Sequence, residues 1–422
     1  LLVATLRTGS RRPAEQSNWD GDVQVPEESA RPAFAKIALP DDFRTVTMEG
    51  FGEDGPAARQ RYFKYFRIIP DADLPIWLLD HPLTLRFFCE ATNPKRDRDV
   101  GSEMMPRSLT ALFERYLQNA MMRIAELAPT NCPYCAQDVR KVIDEIGARL
   151  WSERTRELDE TALRVAVGDD KRIWPESIIR LLEQEGVILR VEGAVAGQYR
   201  VMPVYDALGG YLVANARIIQ LGREGFKDWI KNPVTLAAFN GSHEKLHPLA
   251  TDIFRSLVGL LPRRLEREQL WMLLDGGLRD AALIGAIRLE RDYLDQETLA
   301  GIAQVFRDPS ASTDVLLRLA QVRGAPDHPL NADFVDAQLR KMSNADRDLR
   351  WTEWIRRLYE EPRYNSPSQF DGIGSDWRDD IATRTVSDQL RAKAMMWFLT
   401  TTSRELRDLV TRALYWFGRG DP

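Results

Sequence analysis

The sequence predicts a mainly α-helical protein that begins with the remnant of an α/β sheet, and three features carry that expectation. From Ser108 onward nearly every segment places apolar residues at helical spacing. One helix-then-hairpin stretch, WPESIIRLLEQEGVILRVEGAVAGQYRVMPV (174–204), interrupts them. The chain opens on LLVATLR, a short, mostly apolar run followed by Thr-Gly-Ser-Arg-Arg, the pattern of a strand buried on both sheet faces. A parallel strand needs neighbours and crossover helices, so the start of the first domain is expected to lie upstream of Leu1. A secretory signal would put its positive charge before the apolar run; here the arginines follow it.

Composition narrows the class. A chain of 422 residues is long enough for two to four domains. Its 44% apolar and 29% charged residues are ordinary for a folded soluble protein, and no apolar stretch reaches the ~18 residues of a membrane span. The net charge of −5 gives no general pull toward nucleic acid or an anionic membrane, so neither is expected as a partner. Three cysteines are too few for a disulfide scaffold and suit a reducing cytoplasm.

The elements follow in order. Residues 8–36 are polar, without period, and read as a long surface loop. TVTMEGF (45–51) alternates like a strand, and AARQRYFKYFRI (57–68) gives a short helix with Tyr62, Phe63 and Phe66 on one side. In PIWLLDHPLTLRFFCEAT (75–92) a helix should restart at Pro82, which is tolerated in a first turn. Ser108 caps an amphipathic helix over 108–127, and 138–153 repeats the pattern. Pro175 should open a helix through Glu185, ended by Gly186. VILRVE and QYRVMPV then flank a turn with Gly193 and Gly197, a β-hairpin, so that the whole resembles a winged helix. From Tyr205 onward the pattern is an irregular helical array, broken near 240, 262, 309, 326–331 and 362–376.

Three motifs invite a chemical reading. HEKLH (243–247) has the zinc-protease spacing, yet Asn240-Gly241-Ser242 precede it and Pro248 follows, which pushes His247 out of helical geometry and favours a turn. CPYC (132–135) has the spacing of a redox pair or half a zinc site, but lies between two helices with no second pair, which favours a loop. A winged helix can bind DNA, but here the helix that would enter the groove sets Glu176, Glu183 and Glu185 against Arg180, whereas phosphate contacts need cations. The chain contains no GxxxxGK[ST] and no Gly-Lys dipeptide, hence no phosphate-cradling loop of that type.

The order of elements resembles the second half of a STAND NTPase of the NACHT type. LLVATLR resembles that family's sensor-1 strand, with Leu6 as the departure. VTMEGFGEDGPAARQRYFKYF (46–66) resembles its Gly-Phe, acidic spacer, helix and Tyr-Phe segment, and HPLTLRFFCEA (81–91) its Asn/Thr-Pro-Leu helix, whose proline lies against the adenine. ADRDLRWTEWI (345–355), MMWFLTTTSRELRDLVTRALYWF (395–417) and PVYDALGGYLVA (203–214) resemble segments of bacterial antiviral STAND (Avs-type) proteins, with Pro203 in place of the usual aromatic and Gly210 in place of the usual acid.

The resemblance implies a division into a C-terminal remnant of the P-loop nucleotide-binding domain (1–74), a small helical domain (75–136), a winged-helix domain (137–204) and an α-helical array (205–422). It implies that ATP or ADP, with Mg2+ held by residues outside this chain, is the cofactor. Thr5 and Arg7 would face the nucleotide, with Arg7 reading the γ-phosphate from the end of a sheet strand. His81, Pro82 and Leu83 would line the base. Tyr205 would stand where many NACHT proteins carry a histidine toward the β-phosphate; its hydroxyl can donate one hydrogen bond and brings no charge. Arg347, Asp348, Trp351, Arg404, Arg407 and Asp408 would be structural, as buried Arg–Asp pairs that fix helix docking. The implied partners are the protein's own upstream NTPase and effector parts and downstream sensor repeats, further copies of the chain on activation, and a phage protein as target. The alternative is a signalling or transcriptional regulator of the same class, in which winged helix and array are a protein-interaction scaffold; a zinc hydrolase built on HEKLH is a third reading.

Overall fold

A computed structural model describes residues 51, 54–70, 74–101, 105–128, 133–193, 195, 197–242, 244–360, 377–379 and 384–420. The strand expected at Leu1–Leu6, with Thr5 and Arg7, the loop 8–36, residues 45–50 and the break at 362–376 lie outside those residues. The described part is mainly helical with one small antiparallel sheet. Among the described residues no helix is long and apolar enough to cross a membrane.

Local capping chemistry sets the first helices. Helix α1 (Gly55–Phe66) has proline in its first turn and ends at Arg67, whose backbone is left-handed at φ 56°. That turn is held from across the chain: Arg67 Nε donates to Asp99 at 2.8 Å, and the amide of buried Asn93 donates to the carbonyls of Phe66 and Arg98, both at 2.8 Å. Helix α2 (Pro82–Thr92) starts at Pro82, and α3 (Leu109–Leu127) at Ser108, whose Oγ accepts from the Ala111 N–H. Helix α4 (Ala136–Ser152) is capped at Cys135, with Asp138 reaching back to the Cys135 N–H. Phe87 of α2 and Phe113 and Tyr116 of α3 are fully buried and meet as tilted and edge-on rings.

The hairpin segment is β1 (Leu158–Asp159), α5 (Glu160–Ala166), α6 (Ile178–Gln184), β2 (Ile188–Glu192) and β3 (Tyr199–Pro203), with sheet order β1-β3-β2. Ile188 pairs with Pro203, Glu192 with Tyr199 and Leu158 with Val201, all antiparallel. Gly186 takes φ 69° directly after α6, where the sequence puts a terminating glycine. The expected helix from Pro175 to Glu185 is two pieces: a 3-10 turn over Trp174–Glu176, then α6, because Ser177 leaves helical geometry to cap it.

Helix α7 (Asp206–Lys231) is the central element, bent at Gly222, where φ 62° permits only glycine comfortably. Its glycine-rich start lets other helices approach its backbone. A Cβ on Gly210 would stand 2.3 Å from the Asp252 backbone, and one on Gly147 of α4 would stand 2.3 Å from the Leu212 carbonyl. A side chain larger than hydrogen at 210 is therefore sterically excluded, which accounts for the absence of an acid there. Helices α8 (Pro233–Asn240) and α9 (Ala250–Arg264) follow. The break expected near 262 falls two residues on: Pro262 sits, buried, in the last turn of α9, which ends at Arg264.

The remainder is α10 (Gly276–Ala286), α11 (Gln296–Arg307), α12 (Asp314–Val322), α13 (Ala332–Lys341), α14 (Asn344–Arg347), a π turn over Asp348–Thr352, α15 (Glu353–Glu360), α16 (Val386–Phe398) and α17 (Arg404–Gly420). One apolar core runs from Phe63 to Leu289 and a second from Leu283 to Ala413, so the two meet on α10.

Candidate functional site

His81 is the N-cap of α2: its Nδ1 accepts from the Leu83 N–H at 3.2 Å, and its carbonyl accepts from Thr84 Oγ1 and from the Leu85 N–H. Tyr205 is the N-cap residue of α7. The two rings stack, with centroids 4.9 Å apart and planes at 15°. His81, Pro82, Leu83 and Tyr205, distant in the chain, therefore come together, each half-buried. Thr5 and Arg7 lie outside the described residues.

This contact brings the N-termini of an 11-residue and a 26-residue helix side by side. Both present the positive end of a backbone dipole, a setting that favours a negative group. Phe87 and Phe113 back Tyr205, each with ring centroids 6.4 Å away. On the α1 side Arg59 pairs with Asp80 at 3.3 Å, and the Phe51 N–H donates to the Asp80 carbonyl at 3.3 Å. Asp206 lies 4.0 Å from Arg156. The nearby guanidiniums are turned toward carboxylates, so the phosphate end of a nucleotide would need cations from elsewhere. Among the described residues no group of three or more His, Cys, Asp or Glu could hold a metal ion.

A recurrence not recognised in the sequence gives His81 a context. The triplet His-Pro-Leu occurs at 81–83, 247–249 and 328–330. Each time the histidine Nδ1 accepts the N–H of the residue two further on, at 3.2, 3.0 and 3.1 Å. An Nδ1 that accepts is unprotonated, so the neutral ring carries its proton on Nε2. In His247 that nitrogen donates to the Leu150 carbonyl at 2.9 Å, and in His328 to the Leu289 carbonyl at 3.1 Å. The His247 ring thus ties the segment before α9 to the last turn of α4, and the His328 ring ties the segment before α13 to the residues after α10. Counting short identical triplets, rather than searching for a long repeat period, would have revealed this.

The other motifs resolve individually. His247 is buried with both ring nitrogens engaged by backbone, which leaves no lone pair for zinc; His243 lies outside the described residues. Cys135 donates to Asp138 at 3.1 Å from the α4 cap, and Cys132 lies outside the described residues. Helix α6 buries Ile178, Ile179, Leu181 and Leu182, leaving Arg180 near Glu183 at 3.5 Å.

The expected buried Arg–Asp pairs are not found among Arg347, Asp348, Arg404, Arg407 and Asp408. Arg404 and Asp408 are 3.8 Å apart with side chains 89% and 68% exposed. Arg407 donates to the Thr401 carbonyl at 2.8 Å; Asp348 is exposed and accepts from Thr352. Arg347 donates to the Met342 carbonyl and lies over the Trp397 ring. Trp351 is a core residue, donating to the Trp397 carbonyl at 3.1 Å. The buried arginine is Arg350, one turn on. The π turn over Asp348–Thr352 inserts an extra residue and rotates Arg350 and Trp351 inward. Comparison with protein-family models, with curated proteins and with solved structures finds no match for this chain.

Proposed function

We propose that this chain is the nucleotide-gated regulatory and oligomerisation module of a STAND NTPase of the NACHT type, acting in antiphage defence. The observation that carries the reading is the meeting of His81, Pro82, Leu83 and Tyr205, singled out from two separate segments, at the paired N-termini of α2 and α7. On this reading residues 137–204, with α5, α6 and the hairpin, are a winged-helix domain, and residues 205–422, from α7 to α17, an irregular array leading to sensor repeats. ATP or ADP with Mg2+ supplies the difference in terminal phosphate that tells two arrangements apart. Pro82 and the His81 ring bound the base, and the Tyr205 hydroxyl donates one hydrogen bond toward phosphate. The His81–Tyr205 stack joins the small helical part to α7, so separating the two parts must part these rings. A ligand shifts that equilibrium only by its differential affinity for the closed and parted states. A phage protein on the downstream repeats favours the parted state, and copies of the chain then assemble.

The test uses the complete protein carrying Arg7→Ala. The expected result is loss of ATP-dependent assembly and of protection against phage; unchanged assembly and protection would reject the reading. The recurrence of His-Pro-Leu at 247 and 328, where it only joins helices, favours a second reading. In that reading the segment is a protein-interaction scaffold, and His81→Ala would weaken folding while leaving nucleotide affinity intact.

A further inference from the structure

The cations of this chain are not spread evenly. Segments 61–69 and 93–99 hold six, Arg61, Lys64, Arg67, Lys95, Arg96 and Arg98, against two carboxylates, Asp97 and Asp99. The fold sets the two segments side by side. The Asn93 amide donates to the carbonyls of Phe66 and Arg98, both at 2.8 Å, and the Val100 N–H donates to the Arg67 carbonyl at 3.1 Å. Arg67 is engaged within the patch, by Asp99 at 2.8 Å and the Asp97 carbonyl at 3.0 Å. Arg61, Lys64, Lys95 and Arg98 are exposed, and among the described residues their charged groups make no hydrogen bond or ion pair.

Tyr65 stands among these cations with its ring 63% exposed. The Arg96 guanidinium lies 4.2 Å from the Tyr65 ring centroid and 4.4 Å from that of Phe66. Buried Phe66 meets Tyr65 edge-on at 5.2 Å, and the Arg96 N–H is held by Asn93 Oδ1 at 3.2 Å. The ring is thus braced on one side and open to solvent, so little side-chain freedom remains to be lost on binding. Arg61, Lys64 and Tyr65 fall at i, i+3 and i+4 of α1 and share one face. The C-terminal ends of α1 and α2 meet there, which favours cations but does not call for an exposed, braced ring. The patch is also separate from the His81–Tyr205 contact: it lies at the far end of α2, about 16 Å along that helix from His81.

We propose that this surface binds single-stranded nucleic acid, with a base stacked on the open face of Tyr65 and the flanking phosphates on Arg61, Lys64, Lys95 and Arg98. Stacking accepts any base and the cations hold the backbone, so binding is independent of sequence. An acidic peptide would use the cations and leave the ring idle. A duplex keeps its bases stacked on one another and offers none to the ring. The net charge of −5 does not oppose this, because charges farther away than the Debye length of about 8 Å are largely screened at physiological salt.

The test is fluorescence anisotropy of a labelled oligothymidylate of about 15 nucleotides, titrated with the purified chain from about 50 to about 200 mM sodium chloride. The expected result is saturable binding, tighter than to a duplex of equal length, that weakens steeply with salt. Tyr65→Ala should weaken it roughly fivefold or more, and Tyr65→Phe should retain it. Lys64→Gln combined with Lys95→Gln should lower the slope of log affinity against log salt by about 1.4. Unlabelled oligothymidylate should displace the probe, whereas polyglutamate at equal charge should not. Absence of binding, tighter binding of the duplex, or a Tyr65→Ala variant that binds like the parent would overturn the proposal, and displacement by polyglutamate would overturn it in favour of an acidic protein segment.

Discussion

Arg350 shows what a single side chain does in this fold. It is 2% exposed and donates to the carbonyls of Phe306, Val305, Ala311 and Ser312, closing the C-terminal end of α11 and the loop after it. A cation at a helix C-terminus satisfies carbonyls that have no partner in the helix and complements its dipole. Arg350→Met should therefore destabilise the chain by about 2–4 kcal/mol, read from urea unfolding, because the carbonyls stay buried without donors. Arg404→Met, at an exposed pair, should cost less than about 0.5 kcal/mol. Which arginine is buried could not be read from ADRDLRWTEWI, because the extra residue of a π turn rotates the following side chains by about 100° from their places in a regular helix. Trp351, singled out only through the resemblance, is buried in the second core.

At the scale of elements, starts and stops were legible where their cause is local: Ser108, Pro82 and Gly186 act within one turn of the chain. The α6 region was misread as one helix because Trp174-Pro175 and Ser177 are both plausible starts, and only packing selects the second. The His-Pro-Leu joints carry a measurable consequence. Burial, as the largest cause, holds the His247 and His328 pKa values down at about 4. The unfolded chain titrates near 6.5, so between these limits it binds protons that the folded chain excludes. The stabilisation is complete above about pH 6.5 and is lost progressively as pH falls toward 4, by up to about 3 kcal/mol per histidine. Urea midpoints taken from pH 7.5 to 5 should fall accordingly. The doubly substituted His247→Gln, His328→Gln chain should show a shallower dependence; an identical slope would contradict the neutral-ring assignment.

Across the whole molecule the decisive element is α10, which places Leu278, Ala282 and Ala286 in the first core and Leu283 and Ile284, with Ile287 just after it, in the second. A shared helix couples the two cores, so calorimetry should give one unfolding transition. Leu283→Ala, which removes a fully buried side chain at a cost of about 2–5 kcal/mol, should weaken the second core and split the transition in two. Helical class and hairpin were legible from periodicity; the meeting of residues 81 and 205 was not, since no local pattern relates segments so far apart, and it was reached only through resemblance. The central claim concerns that meeting. Its most direct measurement is the affinity of a fluorescent ADP analogue for the complete protein carrying Pro82→Ala or Tyr205→Ala, beside Arg404→Ala as a control. The account predicts affinity lowered about tenfold by each of the first two, equivalent to about 1.4 kcal/mol, and unchanged by the third; equal affinity in all three would contradict it.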